Sequence, residues 1–308
     1  MGVPRHNPDM DSTAPTPPQI FDRLQVKARL ARARAAGPVD FLLQRAVEDL
    51  GDRLTGIKRD FVDALDLATP LPLAAEALVQ PGRHLTRAST LNEAAHSDWA
   101  SVVVDEEALP FAPQSFDLCV SLFALQSVND LPGVMVQIRQ LLRPDGLFIG
   151  CLLGGQSLQE LRAAFAQAES EVSGGASPRV APFADIRDLG GLLQRTGFAL
   201  PVTDVDTLCV RYANPFALFQ ELRMMGASNA LVERDRRFMR RAVLLRAAEI
   251  YQELYSDADG RVRATFEILW VSGWAPHESQ QKPLKPGSAK MRLADALGVV
   301  EGKLPDAQ

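Results

Sequence analysis

Apolar positions along this 308-residue chain follow two rhythms, one helical and one alternating with strand-like runs. Phe21 to Arg34 carries Leu24, Ala28 and Ala31 at helical spacing among many basic residues. Phe41 to Leu50 resumes the pattern, with Phe41, Leu42, Ala46 and Leu50 on one face, after a break at Gly37-Pro38. From Phe61 the rhythm changes. Short apolar runs at Phe61–Leu67, Arg83–Leu85, Ser101–Val104, Phe116–Leu122 and Leu147–Leu153 predict strands. Helices are predicted between them at Ala74–Val79 and Leu131–Leu142, and Arg143-Pro-Asp-Gly146 reads as a turn. Beyond Gly154-Gly155 the pattern predicts a helix at Ser157–Ser170 with Ser157 as its N-cap. A Gly/Ser/Pro loop at 173–182 precedes a helix at Asp185–Thr196, stopped by Gly197. A strand at Val202–Tyr212, helices at Pro215–Met225 and Leu231–Leu254, a strand at Ala264–Trp274 and a last helix at Ala289–Leu297 complete the prediction.

Strands separated by helices of this size build parallel βαβ units. Right-handed crossovers then wind them into an α/β fold, a Rossmann-like, doubly wound, mostly parallel sheet. The expected organisation is a disordered tail at 1–19, which holds five prolines, and a helical arm at 20–60. A sheet-centred domain follows at 61–275, with a helical insertion at about 213–258, and then a tail at 276–308. No run approaches the roughly 18 apolar residues of a membrane-spanning helix.

Charge changes the picture only locally. Thirty-three basic against thirty-eight acidic residues give a formal charge of −5, which argues against a dedicated nucleic-acid binder. A basic stripe (Arg23, Lys27, Arg29, Arg32 and Arg34) nevertheless precedes the sheet. It reads as a solvated helix face, or as a docking arm for an acidic partner or an anionic membrane surface. Cys119, Cys151 and Cys209 form no C-x-x-C pair, so a zinc ribbon or disulfide scaffold is excluded and a reducing compartment is expected. Residues 1–19 show neither an apolar secretory core nor an Arg-rich amphipathic start, so a bacterial-type cytoplasmic location is expected.

Particular stretches carry a resemblance. Ser115-Phe-Asp-Leu-Cys-Val-Ser121, followed by Leu141-Leu-Arg-Pro-Asp-Gly-Leu-Phe-Ile-Gly150, resembles the fourth-to-fifth strand segment of class I S-adenosylmethionine-dependent methyltransferases. Asp105-Glu-Glu-Ala-Leu-Pro-Phe111 looks like the acidic loop after their third strand. Further stretches include Ile20-Phe-Asp-Arg23, Val128-Asn-Asp-Leu-Pro132, Gly154-Gly-Gln-Ser-Leu-Gln-Glu-Leu-Arg162, Ser177-Pro-Arg-Val-Ala-Pro-Phe183, Met225-Gly-Ala-Ser-Asn229 and His277-Glu-Ser-Gln280. These resemble the mitochondrial complex I assembly factor 5 family and its bacterial relatives, over about residues 20–290. That resemblance implies a methyltransferase fold, S-adenosylmethionine as cofactor, and either methyl transfer or protein-arginine hydroxylation. It also implies a complex I subunit or other protein as partner.

By the resemblance, Asp66, Ala68, Asp105, Glu106 and Ser121 stand at cofactor positions, and Gln126, Asn129 and His277 are candidates for substrate or partner. The donor loop departs from the family's D-x-G-x-G-x-G pattern. In Asp66-Leu-Ala-Thr-Pro-Leu-Pro72 the acid is present, but Ala68 replaces a glycine and two prolines stiffen the turn. The acid that ends the second strand and grips the ribose is also missing, with Arg87 nearby, which has no acceptor to offer. Asn129 and Asp130 also suit the N-cap of the helix from Leu131. An iron facial triad needs two histidines and a carboxylate. His6, His84, His96 and His277 are scattered with no H-x-D/E pair, so no metal site is expected and no catalytic residue is singled out. The residues thus leave open a transferase with a remodelled loop, an assembly factor that binds, and a hydroxylase.

Overall fold

Alternate residues of the central strands face two different helical layers, and this alternation builds the molecule. The computed structural model describes residues 19–280. The strands are β1 (Asp63–Leu67), β2 (His84–Ser89), β3 (Ala100–Val103), β4 (Phe116–Leu122), β5 (Leu142–Leu153), β6 (Ala199–Tyr212) and β7 (Val262–Trp274). They form one seven-stranded sheet in the order β3-β2-β1-β4-β5-β7-β6. The pairs β3·β2, β2·β1, β1·β4 and β4·β5 are parallel, and β7 runs antiparallel to both β5 and β6. This is the expected doubly wound α/β sheet.

The helices are α1 (Arg23–Ala36), α2 (Phe41–Thr55), α3 (Leu73–Leu78), α4 (Leu131–Leu141), α5 (Gln159–Ser173), α6 (Ile186–Arg195), α7 (Pro215–Met224) and α8 (Arg241–Tyr255). On one face of the sheet Leu65, Leu67, Cys119 and Phe148 pack with Ile138 of α4 and Leu192 of α6. On the other, Ala64, Leu118, Val120 and Ile149 pack with Leu50 of α2 and Leu78 of α3. A third core joins α5, α7 and α8 to the start of β7 through Phe165, Leu218, Tyr251 and Phe266. Among the described residues no helix is long and apolar enough to cross a membrane.

Three expectations are corrected. Ser157 does not cap α5: Leu158, at φ 54°, stands at that position without a capping hydrogen bond. The Ser157 hydroxyl instead donates to the Glu267 carbonyl at 3.1 Å and accepts from the Glu267 N–H at 3.0 Å, which ties α5 to β7. The helix expected from Leu231 begins only at Arg241. Residues 234–241 hold five arginines with one aspartate, and Phe238 is fully exposed, so that stretch has no apolar stripe to bury. The turn at Arg143–Gly146 lies inside β5, with Asp145 at φ 63°.

The chain falls into two units, residues up to Pro276 and residues from His277. In the second, the described residues form a turn in which the His277 N–H donates to Gln280 Oε1 at 3.2 Å and His277 Nδ1 lies 2.6 Å from Ser279 Oγ. Residues 1–18 of the tail expected at 1–19, and the helix expected at Ala289–Leu297, lie outside the described residues.

Candidate functional site

The carboxyl ends of β1, β2 and β4 meet under α1, where an open α/β sheet places its ligands. β1 runs into a tight loop whose Ala68 sits at φ 58°, the left-handed region that glycine adopts without strain. Ala68 thus keeps the backbone conformation associated with the family's glycine. Its N–H donates to the Ala88 carbonyl at 2.6 Å. Next to it, the Leu122 N–H donates to Thr69 Oγ1 at 3.2 Å and ties the loop to β4. The Pro70 carbonyl accepts from Arg34 Nε of α1 at 3.0 Å.

Beneath this loop lies a chain of charges that the sequence pattern did not show. Asp66 and Arg87, partners in the β1·β2 register, are both wholly buried and ion-paired. Arg87 also donates to the Thr69 carbonyl at 2.9 Å and to both Glu93 oxygens, at 2.7 and 2.9 Å. Glu93 further accepts from Ser89 Oγ at 2.8 Å and pairs with Arg34 at 2.7 Å. Burial pushes the Asp66 carboxyl up, against the opposing charge of Arg87. Burial also works on Glu93, but the hydrogen bonds and charge of Arg87, with Ser89 and Arg34, outweigh it and hold that carboxyl low.

This network decides the fit of S-adenosylmethionine. The acid aligned with the donor's ammonium end already faces a fixed guanidinium, and its other oxygen, Oδ1, is buried without a hydrogen-bond partner. At the end of β2 stands Ser89, and the nearby Glu93 carries two arginines. The residues do not fit the donor by the family's usual grips.

The acidic loop after β3 is likewise engaged. Glu106 is buried and ion-paired with Arg23, which also lies 3.4 Å from Asp105. Burial raises the Glu106 carboxyl, while the charge of Arg23 lowers it. Lys27 stands 4.0 Å from Asp105. Three of the five basic residues of the arm therefore meet the chain's own acids, which corrects the expectation of a wholly outward docking stripe. Gly226 brings α1 and α7 together. It ends α7 at φ 75°, and an added Cβ would stand 3.1 Å from Leu30 Cα.

A cavity of about 200 Å³ lies between α1, the β4–α4 loop and the α5–α7 side. Ala68, Glu106 and Gln126, all expected site residues, line it, as do Arg23, Lys27 and Arg179. Its deeper wall is apolar, with Leu42, Leu158, Leu161, Leu222 and Phe266. The other candidates lie elsewhere. Asp66 and Ser121 are buried outside the lining, and Ser121 Oγ has no hydrogen-bond partner. Asp105 stays half-exposed beside Arg23. Asn129 anchors α1, since its Oδ1 accepts from the N–H groups of Ile20 and Phe21 at 2.8 Å each; the cap of α4 is Asp130, not Asn129. His277 belongs to the second unit. Among the described residues no three His, Cys, Asp or Glu side chains group to hold a metal ion. What sequence reasoning missed is Glu93, and with it the pairing that joins Arg34 and Arg87 through it. A lone arginine inside an apolar strand, two strand positions from a serine and followed by a glutamate, was the available signal.

Comparison with known proteins agrees with this architecture. Residues 78–150 match the methyltransferase domain family. A Bacillus halodurans protein described as a methyltransferase superposes with a TM-score of 0.51 at 15% identity, covering 74% of this chain and 98% of its own. That likeness shows the fold alone. The mitochondrial arginine-hydroxylase NDUFAF5 of Danio rerio is 40% identical over 94% of this chain and 92% of its own length. The Homo sapiens protein of the same name is 38% identical over 96% and 88%. These relatives are described as mitochondrial, which overturns the expected cytoplasmic location: the composition of residues 1–19 did not bear on it. A match this long, running through sheet, arm and α5–α8 alike, makes this chain a member of the NDUFAF5 family, built on the class I methyltransferase fold.

Proposed function

We propose that this chain hydroxylates an arginine side chain of a protein partner, with a subunit of respiratory complex I as the partner class. The observation that carries the reading is the extent of similarity to relatives named arginine-hydroxylases, which includes the helices that wall the cavity. The Arg87 clamp on Asp66 supports it by removing the usual hold on a methyl donor. Hydroxylation replaces a C–H hydrogen with OH. One oxygen atom of dioxygen enters the bond, the other leaves as water, and a two-electron reductant supplies the electrons and two protons complete the balance. This chain's part is to seat the arginine and exclude water.

Methyl transfer is the second reading. It is favoured by the match to the methyltransferase domain and by the left-handed Ala68. In either reading the outward residues of α1, such as Arg32, are available to an acidic partner or an anionic membrane surface. The test is to incubate the full chain with arginine-containing complex I subunits, in air with reductant and separately with S-adenosylmethionine. Mass spectrometry showing an oxygen added to an arginine supports hydroxylation. An added methyl group supports the second reading, and neither product overturns both.

A further inference from the structure

The polar end of the cavity is closed by a residue of the chain's own first helix. Arg23 opens α1, whose first turn contains no acid. A cation there opposes the helix dipole, so the helix itself gives Arg23 no reason to be in place. Its partners do. Nη1 donates to the Ser127 carbonyl at 3.0 Å, and Nη2 pairs with Glu106, whose side chain is only 5% exposed. Two atoms beside this pairing are buried with no hydrogen-bond partner: Gln126 Oε1, an acceptor, and Arg23 Nε, a donor. Both residues line the cavity, and buried polar atoms left over in this way call for a group to complete them.

We propose that Glu106, the Ser127 carbonyl and Gln126 Oε1 form the seat of a substrate arginine, which Arg23 occupies in the free chain and yields when a protein partner docks. The seat deepens the arginine-hydroxylase reading and rests on it. A planar guanidinium matches it because its several donors fan out to a carboxylate, a carbonyl and an amide oxygen at once, which a lysine ammonium does not reproduce. Leu42, Leu158 and Phe266 supply an apolar wall for the methylene stem. The exchange replaces one guanidinium with another, so buried Glu106 is never left unpaired. Arg23 stands at the start of α1, so its side chain can swing out while Asn129 still holds the backbone at Ile20 and Phe21.

The test uses the full chain and blocked arginine (N-acetyl-L-arginine amide), with blocked citrulline as the neutral isostere, measured by calorimetry. Arg23→Ala should bind blocked arginine about tenfold more tightly than the wild type, because the competent seat is no longer self-occupied. Blocked citrulline should gain nothing, and adding Glu106→Gln should erase the gain. Equal affinity in wild type and Arg23→Ala, or equal binding of citrulline, overturns the seat. If Arg23→Ala does not fold, Arg23→Gln, of similar length and without charge, carries the same comparison. The two readings separate. The expected binding pattern with no oxygen added to any arginine keeps the seat and overturns the hydroxylase reading. Hydroxylation unchanged by Glu106→Gln keeps the function and overturns the seat.

Discussion

Arg87 and Asp66 face each other across the β1·β2 pair, ion-paired, with neither side chain exposed to solvent. A buried pair is held better the more of its remaining donors and acceptors are met, and on the acid's side Asp66 Oδ1 is not. Arg87 finds its further partners in Glu93 and the Thr69 carbonyl. The family's donor acid has thereby become part of the scaffold under the loop, linked through Glu93 to Arg34 of α1.

Removing the cation should therefore be costly. Arg87→Met leaves Asp66 facing an apolar group in a buried place, and the unfolding free energy should fall by about 3–5 kcal/mol. Urea denaturation followed by circular dichroism reads this directly. A loss under about 1 kcal/mol would show that the clamp carries little of the fold's stability.

The same clamp predicts poor donor binding. Calorimetric titration of the full chain with S-adenosylmethionine should show no saturable heat at tens of micromolar ligand. A low-micromolar dissociation constant would overturn the reading that Asp66 and Glu93 are committed to arginines.

Acid should weaken the network in a defined direction. The folded Glu93 carboxyl lies below its ordinary value of 4.5. An acid lowered on folding adds stability that is present above the unfolded value and is lost as pH falls through the folded one. Melting temperature should thus drop as pH is taken down from 4.5, and the Glu93→Gln variant should show a shallower drop over that window. Parallel curves for the two proteins would remove Glu93 from the acid response.

Gly226 tests how closely α7 must approach α1. An alanine there meets both a left-handed backbone, at about 1–2 kcal/mol, and a close contact with Leu30. Gly226→Ala should lower the unfolding free energy by about that amount, read as a lower urea midpoint. It should also raise amide exchange in α1, read by hydrogen–deuterium mass spectrometry. Unchanged exchange in α1 would show that the approach is not what seats the arm.

The sheet was legible in the sequence because its strands are short, apolar and separated by helices, and burial on both faces leaves little else for Phe116–Leu122 or Leu147–Leu153 to do. The third core was less so. Ser157 had the composition of a cap, but its hydroxyl is used by β7, more than one hundred residues on. The stretch before Arg241 had helical propensity, but its arginine-rich part carries no apolar stripe to bury. Of the candidate site, Ala68, Glu106 and Gln126 were legible from their place in the motifs. Asp66 and Ser121 were legible as positions, but not as buried groups away from the cavity.

What the sequence by itself determined was the order of strands and helices and the family, since these rest on local periodicity and on motifs read along the chain. It also determined that the donor loop had lost its glycines. What only the tertiary structure decided was the use made of the charges. Arg23 and Arg34 read alike as members of a basic stripe, yet one reaches Glu106 and the other Glu93, and both acids lie more than fifty residues away. Charge pairing across such separations depends on which helix face is laid over which strand ends, and no periodicity in the sequence records that choice.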